Sequence, residues 1–174
     1  MNADAILQEL SISIYEAPLS DVRKEADYPY LGNPLHIAVF LIDCDTEIDM
    51  NGMLRFIENS AGQHLDQTAE ALKLIGAPKS ASLLQSVRSC MERHGVTWQR
   101  LRSDFAGTAE YEISSFRELH GEDLDGFARE VDTLAGHFSL FNTLYSTEDS
   151  YAALCSYLDG RAEELRSEIE RRRQ

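Results

Sequence analysis

Apolar positions recur along this chain three and four residues apart, the spacing of helices that bury one face. In residues 3–15, Ile6, Leu10 and Ile14 form one such stripe. Pro18 and Pro29 bound a polar connector, and the Tyr28-Pro29-Tyr30 step reads as extended, since proline disfavours helical geometry in the residue before it. Asn33-Pro34 is a helix start, a capping side chain followed by proline in the first turn. The run LHIAVFLI from Leu35 to Ile42 is apolar on every side, which marks a buried central helix. Its β-branched residues would also suit a short strand, but its length and the lack of strand partners argue against one. Asp43, Asp45, Glu47 and Asp49 then alternate at what the pattern makes the far end of this helix. Acids oppose the helix dipole there, so they either face the next helix's N-terminus or serve another purpose.

From Glu47 to Gly76 the pattern predicts a helical hairpin. Met53, Leu54, Phe56 and Ile57 form the apolar side of its first helix, and Asn59-Ser60-Ala61-Gly62 supplies turn residues. Leu65, Ala69, Leu72 and Ile75 repeat at helical spacing, Gly76 sits at a left-handed cap, and Pro78 blocks continuation. Pro78 to His94 predicts another helix, with Leu83, Leu84, Val87 and Met91 inward and Gly95 closing it. Trp98 and Leu101 fall in a linking turn, where Arg93, Arg100 and Arg102 make a basic edge. Residues 104–120 are poorly periodic, with Phe105, Tyr111, Ile113, Phe116 and Leu119 anchoring a loop and short helix. Leu124, Phe127, Val131 and Leu134 restore helical spacing. Ser146-Thr147-Glu148-Asp149 opens a last helix over about residues 147–173, bending at Gly160. The fold class is all-α: one helical domain over residues 1–174, a multi-helix bundle around a buried central helix and a helical hairpin.

Composition narrows the function. At 174 residues and 43% apolar, the chain can bury a core without staples. No apolar run reaches membrane-spanning length, and the N-terminus lacks the basic region of a secretion signal. Cys44, Cys90 and Cys155 are far apart in apolar contexts, as expected of reduced thiols in a cytoplasmic protein. The net charge of −14 is segregated. Residues 1–70 hold 13 acids and 3 bases, residues 71–103 hold 1 acid and 6 bases, and residues 104–132 hold 9 acids and 2 bases. Such blocks favour a patterned surface over a merely soluble one. A duplex would repel so acidic a chain, which excludes direct nucleic-acid binding.

The hairpin stretch also carries a family resemblance. Glu47, Ile48, Gly52, Phe56, Asn59, Ser60 and Gly62, followed by Leu72-Lys73-Leu74-Ile75-Gly76-Ala77, resemble the signature of the DMP-type family of bacterial DNA-mimic proteins. The likeness runs from roughly Leu35 to Leu84. Asn51, Met53, Arg55 and Ile57 depart from the family's glycine, phenylalanine, glutamine and second aromatic. The resemblance implies binding through acidic surface to a DNA-binding protein such as a transcriptional regulator, keeping it off DNA, by a monomer or homodimer without a cofactor. The matching residues Gly52, Phe56, Asn59, Ser60, Gly62, Ile75 and Gly76 serve structure; Asn59 is expected to bond the turn's backbone.

Two acidic strips are the candidate partner-binding residues. One is Asp43, Asp45, Glu47 and Asp49; the other is Glu110, Glu112, Glu118, Glu122, Asp123 and Asp125. Carboxylates one helical turn apart rise by about 6 Å, so an array over several helices approximates a line of phosphates. The Arg88–Arg102 edge and the Arg171-Arg172-Arg173 tail are expected to pair with acids on neighbouring helices. An immunity-type inhibitor of a basic toxin or nuclease would use the same surface. A carboxylate- or metal-dependent hydrolase is the rival from another class, with Glu47 and Asp49 or Glu58 as its acid–base pair. Against it, no His-x-x-x-His pair, phosphate loop or nucleophile elbow occurs, so no metal and no catalytic residue is assigned. His36 reads as a core histidine, and His64 with Asp66 and Glu70 as a helix start.

Overall fold

The computed structural model describes residues 3–105 and 115–173, and every regular element among them is helical. The helices are α1 (Ala3–Ser13), α2 (Pro34–Glu58), α3 (Leu65–Ile75), α4 (Pro78–Arg93), α5 (Trp98–Phe105), α6 (Phe116–His120), α7 (Asp125–Ala135), α8 (Ser150–Asp159) and α9 (Ala162–Arg173). Short 3-10 turns cover Leu19–Lys24, Ser60–His64 and Glu122–Leu124. The all-α expectation is met.

The axis of the fold is α2. Asn33 caps it as its sequence implies, its Oδ1 accepting from the backbone N–H of Leu35 at 2.9 Å and of His36 at 3.4 Å. Every side chain from Pro34 to Ile42 is buried. Full burial of one Leu or Ile contributes about 1.5–3 kcal/mol, so this half-helix outweighs any single polar contact in the molecule. The helix does not stop before the acids. It runs on to Glu58 across a kink at Gly52, whose φ of 78° and ψ of 170° fall where only glycine sits without strain. Asp43 to Asp49 therefore lie mid-helix, and the expected helix end there is corrected.

Around this axis, α3 packs along α4, and α4 along α7. Gly76 adopts the left-handed cap with φ 92°, which lets the Ala77 N–H reach the Leu72 carbonyl at 2.8 Å. The α1 stripe of Ile6 and Leu10, with Ile14 just beyond the helix, is buried, and α1 meets α8. Three boundaries differ from the pattern. Trp98 and Leu101 belong to helix α5 rather than a turn. Leu134, placed on the α7 core stripe, is exposed while Ala135 is buried, because the buried face runs Phe127, Val131, Ala135 at four-residue spacing and leaves Leu134 beside it. The last helix is two: Asp149 caps α8 through Oδ1 to the Ala152 N–H at 2.9 Å, and the chain breaks at Gly160 before α9. Tyr111 and Ile113 lie outside the described residues. No described helix is long and apolar enough to cross a membrane.

Candidate functional site

The two acidic strips fare differently. On α2, Asp43 is clamped by Arg23 through two parallel bonds of 2.6 and 2.7 Å. Asp45 Oδ1 accepts the Phe141 N–H at 2.9 Å, tying the chain after α7 back onto α2. Burial raises the Asp45 carboxyl to about 6, helped by the like charge of Asp49 one turn away. Glu47 Oε2 accepts from the amides of Asn59 at 2.5 Å and Asn51 at 3.3 Å. Asp49 is exposed. Among the described residues, no lysine or arginine forms an ion pair with Asp45, Glu47 or Asp49.

Most of the second strip is neutralised. Arg117 holds Glu122 and also Asp125 at 3.4 Å, and Arg100 holds Asp123 at 2.6 Å. Glu118 closes a capping box with Ser115, and hydrogen bonds from the Ser115 N–H and hydroxyl keep it below the usual carboxylate range. Glu110 and Glu112 lie outside the described residues. In the basic edge, Arg88 pairs with Asp66 of α3 and Arg93 with Glu130 of α7, as expected, while Arg88 also takes Glu92 of its own helix. In the tail, Arg171 and Arg172 take Glu168, Arg172 also takes Glu25, and Arg173 takes Glu9.

The residues of the hairpin signature assemble the kink and the turn after it. Glu47 reaches across the kink to Asn59, twelve residues on. Asn59 therefore serves Glu47 with its side chain, not the turn's backbone as expected; its carbonyl accepts the indole N–H of Trp98 at 2.8 Å. Gly62 packs so closely that a Cβ there would lie 2.5 Å from the Ile57 carbonyl oxygen. Phe56 is fully buried. Phe56, Ser60 and Glu47 line a cavity of about 340 Å³, which Tyr15, Tyr28, Phe40 and His64 also border.

Behind the hairpin lies a buried charge network that sequence reasoning missed. Glu58 and His120 are both wholly buried, with His120 Nε2 2.9 Å from Glu58 Oε1. The other ring nitrogen lies 2.9 Å from Asp104 Oδ2, and Arg55 bonds Glu58 Oε2 at 2.7 Å. Glu58 is thus spent on structure rather than offered with Glu47 for acid–base work. Only its late position in an apolar helix hinted at this. His36 is a satisfied core histidine: Nδ1 accepts the Tyr30 N–H at 3.1 Å and Nε2 lies 3.0 Å from Glu25. His64 does not gather Asp66 and Glu70, which pair with Arg88 and Lys73.

One group of metal-ligand type occurs among the described residues: Cys90 and His94, one turn apart on and just after α4, with Glu130 of α7. The spacing Cys-x-x-x-His was legible but lay outside the His-x-x-x-His test. Glu130 already accepts from His94 Nε2 at 2.8 Å and pairs with Arg93, which supplies the positive charge an ion would bring.

No curated protein and no solved structure matches the chain. The model of one family, described as DMP19-like protein, matches residues 31–161. That match covers well over half the chain and extends far past the hairpin, from the residues leading into α2 to the α8–α9 junction. Its span takes in the kinked α2, the Glu47–Asn59 brace and the Glu58–His120 network, and so the chain belongs to the DMP19-like protein family.

Proposed function

We propose that this protein is a non-catalytic acidic interaction protein that occupies the DNA-binding surface of a basic protein such as a transcriptional regulator. Asp45 and Asp49, one turn apart on one face of α2, carry the reading, with Glu47 on the opposite side of the helix. Among the described residues no lysine or arginine pairs with these three carboxylates, and Asp45 and Asp49 are separated by about 6 Å of helix rise. Their negative field attracts a phosphate-binding surface over roughly 8–10 Å at physiological salt. Glu118, Glu122, Asp123 and Asp125 contribute less, because arginines or a cap already hold them. Family membership supports the same reading.

The test is capture of a partner from lysate of the source cell, followed by competition. The captured protein should bind duplex DNA and release it when this protein is added. Capture should weaken steeply between about 50 and 200 mM salt, and Asp49→Asn with Glu47→Gln should weaken it further. A captured partner that stays on DNA in the presence of excess protein sinks the proposal. A captured basic toxin or nuclease, inhibited on binding, would assign an immunity role to the same acids.

A further inference from the structure

Cys90, His94 and Glu130 each bring one ligand atom to within 4.8 Å of the other two. The backbone sets this up. The His94 N–H donates to the Cys90 carbonyl at 3.1 Å, which extends α4 geometry past Arg93 and puts both side chains on one face. That face meets α7, where Glu130 stands next to the buried Val131. The His94 ring is held from two sides. It lies edge-on to Phe127, centroids 5.8 Å apart, and a Cβ added at Gly126 would come 3.6 Å from its Cε1. Two packed helices therefore position all three groups.

Access is graded. Cys90 is wholly buried, while the His94 and Glu130 side chains are 31% and 37% exposed. An ion arriving from solvent meets the imidazole and carboxylate first and the thiol below them. The donor set is one sulfur, one nitrogen and one oxygen. Magnesium and calcium take oxygen ligands, whereas a thiolate with imidazole and carboxylate suits zinc, whose fourth position water can fill. In the ion-free protein Arg93 and His94 balance Glu130 through different oxygens: Arg93 takes Oε1, and His94 Nε2 lies 2.8 Å from Oε2. Nε2 and Oε2 thus already face each other. Arg93 can stay on Oε1, the outer hydrogen bond that orients a ligating carboxylate. Binding an ion expels the Cys90 thiol proton to solvent and leaves the imidazole hydrogen on Nδ1.

We infer that Cys90, His94 and Glu130 bind a zinc ion, with water as the fourth ligand, and that the ion clips the end of α4 to α7. The site shares no residue with the acids of α2, and the ion is titrated without any partner.

The full chain, stripped of metal by a chelator and kept reduced, is titrated with Zn(II) against a chromophoric chelator. Co(II) is titrated in parallel and followed by absorption spectroscopy, with Mg(II) as comparator. The expected result is one equivalent of Zn(II) or Co(II), a thiolate-to-cobalt charge-transfer band, and no displacement by a roughly hundredfold excess of Mg(II). Cys90→Ala should abolish the band, whereas Cys155→Ala, at another free thiol, should keep it. His94→Gln and Glu130→Gln change part-exposed side chains, so helicity should persist while each weakens Zn(II) by about tenfold or more. Zn(II) should raise the melting temperature of the parent and raise that of Glu130→Gln less. The inference is overturned if Zn(II) does not bind stoichiometrically or if the cobalt band survives Cys90→Ala. It is equally overturned if His94→Gln and Glu130→Gln bind Zn(II) as the parent does.

Discussion

Replacing His120 with alanine should be among the most damaging single changes to this fold. The ring is fully buried and sits 2.9 Å from a carboxylate oxygen at each nitrogen. Among the described residues, its removal leaves Glu58, with no exposed side chain, held by Arg55. Breaking a buried pair by deleting one partner costs about 3–5 kcal/mol. The ring also lies 4.4 Å from the Phe116 ring, and such a ring contact adds about 0.5–1.5 kcal/mol. A loss of about 4–6 kcal/mol lowers Tm by roughly 8–24 °C for a chain of this size. Urea unfolding followed by circular dichroism measures it. The discriminating arm is a double-mutant cycle with Glu58→Gln, which removes the stranded charge. Coupling of about 1–3 kcal/mol is expected, with Glu58→Gln much less harmful once His120 is gone. A His120→Ala cost below about 1 kcal/mol, or two strictly additive losses, would refute the idea that this buried network holds α2 to α6.

Three further outcomes follow from other sites. Gly52→Ala should cost about 1–3 kcal/mol in thermal or urea unfolding through backbone strain alone, since no atom lies within 4 Å of the added Cβ. The Asp45 carboxyl, raised from 3.8 to about 6, keeps a proton in the folded state that the unfolded chain has lost, so its contribution falls as pH rises through that window. Asp45→Asn should therefore match the parent near the acid end of the window and exceed it by about 1–2 kcal/mol near pH 8, read from unfolding curves at several pH values. Arg172→Ala should cost about 2–4 kcal/mol, because its side chain is 10% exposed between Glu25 and Glu168. The bond from Arg172 holds Glu25 below its ordinary value, so that stabilisation is present above this value and lost as pH falls through the lowered one. The acid sensitivity of the variant should be correspondingly smaller.

Local chemistry was legible where neighbours in sequence settle the outcome. Asn33-Pro34, Gly76-Pro78 and the Ile6, Leu10, Ile14 stripe each led to the element observed, because caps and stripes depend on a few adjacent residues. Gly52 was ambiguous: a glycine within a helical pattern permits continuation, a stop or a kink, and only packing chose the kink. Trp98 read as turn because its helix is short and its burial depends on the distant Asn59 carbonyl. The polar arrangements were least legible. His120 meets Glu58 across 62 positions, and the Tyr28 and His64 rings converge only through α2. Nothing in the spacing of those residues distinguishes them from solvated side chains. The arginines that cancel Glu122, Asp123 and Asp125 were visible, but their pairing was a question of three-dimensional approach.

The kinked central helix has a mechanical consequence. One continuous helix carries the most deeply interred segment of the chain at one end and Asp45 and Asp49 further along. These acids are therefore fixed to the buried axis of the fold, not borne on a loop that must settle before contact. Under the proposed function, Asp45 and Asp49 meet a partner already fixed one turn apart, so little motional freedom is surrendered on docking.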